Sequence, residues 1–336
     1  SGQVHLALGA VPFVCAYALA RARDRRVFAA VAALVVSAVT AGALVKVTTI
    51  DKSHLAGGRS LQAVAQYSAS WGDFLHRHKG ADPERFVFLG WATPVLAAVG
   101  LVVLARSRSR RGLAAALGLG AVVPILLALG THLPTYSWLW HALPAFRYPR
   151  VPERLLPIAC LCLAALVAFA VARAPWRAVV AALAVALLLV DLHVRVYGAS
   201  AADEGNAAYA ALRDAPPGRL LELPVFLPDL HYGSVYQYYD IEARRGRPAG
   251  YSTVAPRVAY DLLASLQGVN CGRFSRNDLA RLRGLGVRYV AVHRALYRYR
   301  RVVKGATPCA AAPAARVTSF PRLARDGPVT IYRLPP

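Results

Sequence analysis

Phe146-Arg147-Tyr148-Pro149-Arg150-Val151-Pro152-Glu153-Arg154 runs straight into an uncharged apolar stretch at 155–172. That stretch falls within the roughly 17–25 residues a helix needs to cross a bilayer. If it crosses, three arginines, a glutamate and two prolines stand at its mouth, where charge is costly and needs a reason. If it does not, the run is a buried helix of a soluble core. The rest of the chain decides between the two.

Five further apolar runs lie at 4–20, 27–45, 86–105, 113–129 and 178–192. Any one of them could be a core helix. Six in series, joined alternately by short and long connectors, read as a polytopic membrane domain over 1–194. Composition agrees: of 336 residues 57% are hydrophobic, yet the formal net charge is +23. Apolar spans with arginines in the loops explain both values together. Nucleic-acid binding would explain the charge alone. The arginines, however, are scattered between apolar runs, without zinc-finger spacing or an RNA-recognition aromatic motif, so no nucleic-acid partner is expected. There is no methionine, and Ser1 leads into the first run without a charged leader or cleavage site. The expectation is a chain that begins inside a longer protein.

The connectors at 21–26, 106–111 and 173–177 are the densest basic clusters, and all fall on one side if six runs span. The positive-inside rule makes that side cytoplasmic. The loops at 46–85 and 131–154, and everything after about 194, are then extracytoplasmic. Lys46, Lys52, Arg59, Arg77 and Lys79 make the first outer loop basic too, offset by Asp51, Asp73, Asp82 and Glu84.

Beyond 195 the long apolar runs stop. Residues 219–225 read as a strand stopped by Pro224, 257–267 and 276–284 carry helical spacing, and 287–293 and 329–334 read as strands. The Ala/Pro-rich stretch at 306–316 reads as a loop. A small extracytoplasmic α/β domain over 195–336 is expected.

Cys15, Cys160 and Cys162 fall inside apolar runs and read as small apolar residues. Cys271 and Cys309 fall in the expected outer domain, where a disulfide between them would persist. Phosphate-loop, nucleophile-elbow and His-Glu-x-x-His patterns are missing, and no metal site or cofactor is expected from the residues. His76 and His78 read as members of a solvated loop rather than a metal pair. Asp51 and His54, just outside the second run, are secondary candidates for touching a substrate head group. Asp191 and His193 close the sixth run and read as a membrane boundary where a carboxylate reaches water.

The opening stretch carries the most chemistry. Pro152 suits the first turn of a helix, since the N–H it lacks would be unbonded there anyway. Arg150 and Arg154 then share a face if Arg150 joins the turn. Arginines at a helix N-terminus are electrostatically adverse unless an anion is near. Glu153 supplies such a charge from within; a lipid phosphate or diphosphate would supply it from outside. Both readings stand. Arg147, Arg150, Glu153 and Arg154 are therefore the candidate contact residues.

The stretch 143–155, with Pro144-Ala145-Phe146 and Arg150-Val151-Pro152-Glu153-Arg154, resembles the Pro-x-Phe…Arg-x-Pro-x-Arg signature of YfhO-like bacterial membrane proteins. These are relatives of the GT-C polyprenyl-phosphate-dependent glycosyltransferases. Further pieces follow in order: Ser1-Gly2-Gln3-Val4-His5-Leu6-Ala7, Tyr67-Ser68-Ala69-Ser70 with Asp73-Phe74-Leu75, Gly218–Pro224, Gly246-Arg247-Pro248 with Gly250-Tyr251-Ser252, and 285–293. The resemblance implies the C-terminal part of a GT-C-like fold. It also implies transfer of a sugar from a polyprenyl-phosphate donor to a cell-envelope glycan acceptor, among membrane lipids. In that family the catalytic acid lies in an outer loop near the N-terminus, upstream of helices like these, so no catalytic residue is carried over. The alternative is a non-catalytic transporter component, or an envelope scaffold whose outer domain binds a partner. Transporters favour charges at mid-membrane, and these runs are largely uncharged in their middles.

Overall fold

The computed structural model describes residues 4–22, 24–77, 87–193, 205–301 and 319–335. The chain forms two compact units, one of residues 2–47 and 57–197, the other of 48–56 and 198–336.

In the first unit every apolar run is helical. The helices are α1 (Val4–Arg21), α2 (Arg25–Val45), α3 (Leu61–Ala65), α4 (Trp71–Leu75), α5 (Ala92–Ala105), α6 (Arg111–Ala128), α7 (Pro134–Ala142), α8 (Leu156–Ala172) and α9 (Arg177–Asp191). A π-helical turn, Lys46–Ile50, lengthens α2. Among the described residues three stretches are long and apolar enough to cross a membrane: Arg25–Ile50, Arg108–Ala128 and Pro152–Ala172. The loops expected at 46–85 and 131–154 are partly helical, holding α3, α4 and α7.

The run expected from residue 86 becomes helical only at Ala92. The reason is local. Gly90 sits at φ +81°, a left-handed conformation that L side chains rarely adopt. The Asp191 carboxylate accepts the N–H of Ala92 at 2.8 Å and so starts the helix there. A Cβ on Gly90 would come within 2.6 Å of that carboxylate. Asp191 is thus no water-facing boundary residue. It is 5% exposed, caps α5, and takes a hydrogen bond from Arg77 Nη2 at 3.4 Å. The Arg77 guanidinium in turn lies over Phe88 and Trp91.

The core of this unit gathers on α8, whose Leu163 and Leu166 pack with Leu104 of α5 and Leu113 and Leu117 of α6. Gly100 permits the closest approach: a Cβ there would collide with the Leu166 carbonyl oxygen. By contrast α2 buries no residue.

The second unit contains α10 (Ala207–Arg213), β1 (Arg219–Leu223), α11 (Ser234–Tyr238), α12 (Arg257–Ser265), α13 (Arg276–Gly284), β2 (Val287–His293), β3 (Arg322–Asp326) and β4 (Val329–Arg333). The sheet order is β1-β2-β4-β3, with β1 and β2 parallel and the other pairs antiparallel. Alternation along the strands feeds two cores. Leu220, Tyr289, Ala291 and Ile331 pack with Tyr209 and Leu212 of α10. Leu221, Leu223, Val290 and Val292 pack with Leu263 of α12 and Leu282 of α13. Residues 48–56 fold with this unit through a bridge from Ser53 to Pro256 and the His54 N–H donating to Ala255 O at 3.3 Å.

Candidate functional site

Three prolines and a buried turn build the arginine site. Pro134 opens α7, Pro144 opens a 3-10 turn Pro144–Arg147, and Pro152 opens another, Pro152–Leu155, that leads into α8. Each stands in the first turn, where its missing N–H costs nothing. Val151 is extended (φ −119°, ψ 92°), so Arg150 lies outside the helical turn. The shared helical face expected for Arg150 and Arg154 does not form.

The arginines are placed by aromatic rings instead. The Arg147 guanidinium lies 5.3 Å from the Trp140 ring centroid. Its Nε and Nη2 donate to the carbonyls of Trp140 and His141, both at 3.2 Å, closing the C-terminal end of α7. The Arg59 N–H donates to Arg147 O at 2.7 Å, and Trp140 Nε1 donates to Arg59 O at 3.1 Å. Gly58, at φ +80°, is pressed so close that a Cβ would meet Arg147 Cβ at 2.8 Å. Arg150 lies over Tyr67, 4.6 Å from its centroid. Glu153 is buried and Arg154 half-buried. Burial first, and the Glu153 charge second, push the Tyr136 phenol up to about 12.

This cluster therefore joins Arg147 and Arg150 to Arg59, Tyr67 and Trp140, which the sequence reading did not single out for the site. Their signal was present: a basic residue and aromatics in the two long connectors of the helical unit. Asp51 and His54 belong to the other unit. There His54 stacks on Tyr260 at 4.6 Å and its Nδ1 lies 3.2 Å from Ala255 O. His76 closes α4, its Nδ1 lying 2.9 Å from Gly72 O; His78 is outside the described residues. Among the described residues no group of three or more His, Cys, Asp or Glu side chains gathers as metal ligands. Cys271 is disulfide-bonded; Cys309, its expected partner, lies outside the described residues. Cys15, Cys160 and Cys162 are free thiols.

A second cluster, in the α/β unit, escaped the sequence reading as a site. Tyr209 donates its hydroxyl to Glu222 Oε1 at 2.7 Å, and its oxygen lies 2.9 Å from His293 Nε2. With the tyrosine proton committed to Glu222, His293 must donate from Nε2. Arg247 donates from Nε to the same Glu222 oxygen at 3.0 Å and from Nη1 to Asp240. Burial pushes the Glu222 carboxyl up to about 7, against the pull of Arg247 and of both hydrogen bonds. Side-chain exposure is 1% for Glu222 and 5% for Arg247. The network ties β1 and β2 to α10 and the loop at 240–247; Glu222 and Arg247 lie buried, while Asp240 at its edge is 41% exposed. Its sequence signal was Glu222 itself, an inward charge among leucines.

The chain's comparison with known proteins adds no relative: no family model, no curated protein and no solved structure matches it.

Proposed function

We propose that this chain is part of a GT-C-type membrane glycosyltransferase, with six spans and an extracytoplasmic α/β domain. It would move a sugar from a polyprenyl-phosphate donor to a cell-envelope glycan acceptor. The observation that carries the reading is the arginine–aromatic cluster at the head of α8, with Arg147 over Trp140 and Arg150 over Tyr67. A guanidinium held against a ring is fixed in place, and its planar, permanently charged group matches phosphate oxygens in shape and charge. Fixed donors of this kind stabilise charge building on a departing phosphate, because they need not reorganise as it leaves. The membrane part of the reading is supported by three helices of spanning length, and the side of the membrane by the basic connectors. The motif resemblance to YfhO-like proteins supplies the sugar-transfer chemistry. No residue of this chain is assigned as the catalytic base.

The test measures polyprenyl-phosphate affinity and sugar transfer on the full-length protein in nanodiscs, for wild type and for Arg150→Ala combined with Arg154→Ala. Loss of charged hydrogen bonds to the phosphate predicts affinity weakened by about 10- to 100-fold. Unchanged affinity and transfer would remove these arginines from the mechanism.

A further inference from the structure

A trough of about 730 Å³ runs along the helical unit, lined by α8 and α9 and closed at one end by Phe88 and Leu89. Six of its lining side chains are alanines: Ala164, Ala168 and Ala172 from α8, and Ala178, Ala181 and Ala184 from α9. These recur at three- and four-residue spacing, so each set forms one face of its helix. Of α9, only Ala184 and Asp191 are buried, so the helix leans on its neighbours without filling the space beside α8. Arg177 lines the opposite mouth. Beside it Trp176 is 84% exposed, the place and residue type of an interfacial anchor.

Dimensions select the occupant. From Cys160 to Ala172 the α8 wall is about 18 Å long at 1.5 Å per residue, close to the roughly 15 Å depth of one leaflet's hydrocarbon. Spread over that length, the trough has a cross-section of about 40 Å², half that of a helix about 10 Å wide. A helix would enter it only with part of one face, whereas an extended hydrocarbon chain lies within it along its length. The cation at the mouth asks for an anionic head group at the level where the hydrocarbon ends.

We infer that the trough between α8 and α9 seats an acyl chain of an anionic glycerophospholipid, with Arg177 holding its phosphate. The lipid belongs to the leaflet on the side of the 173–177 connector. The inference rests on the membrane reading but not on sugar transfer, and no transfer assay enters its test.

The test is native mass spectrometry of the detergent-solubilised protein titrated with phosphatidylglycerol or phosphatidylcholine. Wild type is expected to retain phosphatidylglycerol preferentially. Arg177→Gln should lower that retention about tenfold, the loss of one charge-assisted contact. Ala168→Trp, which fills the trough, should abolish retention of either lipid, while Val95→Trp, on an exposed face of α5 outside it, should not. A second readout needs no variant. Cys160 lines the trough and is exposed, so phosphatidylglycerol should slow its modification by a maleimide, read on the Cys160 peptide. Equal retention in wild type, Arg177→Gln and Ala168→Trp, or a Cys160 rate indifferent to phosphatidylglycerol, overturns the inference. So does occupation of the trough by polyprenyl phosphate in preference to phosphatidylglycerol.

Discussion

At the scale of single residues, Glu222 makes the sharpest demand. Its carboxyl is pushed from the ordinary 4.5 up to about 7, chiefly by burial. In the unfolded chain the group ionises near 4.5, so below that pH it is neutral in both states and its burial costs nothing extra. As the pH climbs from about 4.5 through 7, the folded protein holds the proton that the unfolded chain releases. Stability of the α/β unit should therefore be highest at the acidic end and fall by roughly 3 kcal/mol across that window. Glu222→Gln keeps an acceptor for Tyr209 but does not ionise, so its unfolding midpoint should lose this dependence. Thermal unfolding of both proteins at pH 4.5, 6 and 8 checks it; the same slope in the variant would assign it elsewhere. The network was hard to read from sequence because its members, Tyr209, Glu222, Arg247 and His293, meet only across the fold. Each is unremarked alone except the glutamate.

At the scale of elements, composition reveals where helices run but not where they start. Apolar runs announce helices because α5, α6, α8 and α9 are almost wholly uncharged inside. The start of α5 depends on Gly90 and on a carboxylate about a hundred positions away, which no local pattern encodes. Removing that carboxylate in Asp191→Ala should uncap α5 and leave Arg77 without its buried acceptor, at a cost of about 1–3 kcal/mol. Asp191→Asn retains an oxygen for the Ala92 N–H and should lose less. Unfolding midpoints in one detergent rank the two variants; equal midpoints would mean that the cap does not hold the helix. Among the elements the sequence did not announce, the strand β3 reads Arg322-Leu323-Ala324-Arg325-Asp326. Its charges disguise a strand but suit an edge, where they deter pairing with another chain. Asp326-Gly327, with Gly327 at φ +48°, was the legible hairpin signal. The arginine site was legible in its residue types and not in its partners, since Arg59 and Tyr67 come from a different connector.

At the scale of the molecule, the question is which solvent the helical unit is built for. The most apolar window of Arg25–Ile50 has no residue buried, and Val36 and Val39 stand two-thirds exposed. In water so long an apolar face is a liability; in lipid it is a match. Its apolar run at 27–45, between Arg26 and Lys46, spans about 29 Å at 1.5 Å per residue, close to the roughly 30 Å hydrocarbon core. If the short arginine connectors face the cytoplasm, Ser109 lies inside and Thr135 outside. Both are exposed, and a cysteine placed at either should tolerate the fold. A membrane-impermeant maleimide applied to intact cells should then label Thr135→Cys, and label Ser109→Cys only after permeabilisation. The reverse pattern would invert the orientation and move the arginine cluster at the head of α8 to the cytoplasmic face, removing it from an extracytoplasmic sugar transfer. Recovery of the protein in the soluble fraction after an alkaline wash would undo the membrane reading itself, and with it both the lipid-phosphate site and the acyl-chain trough.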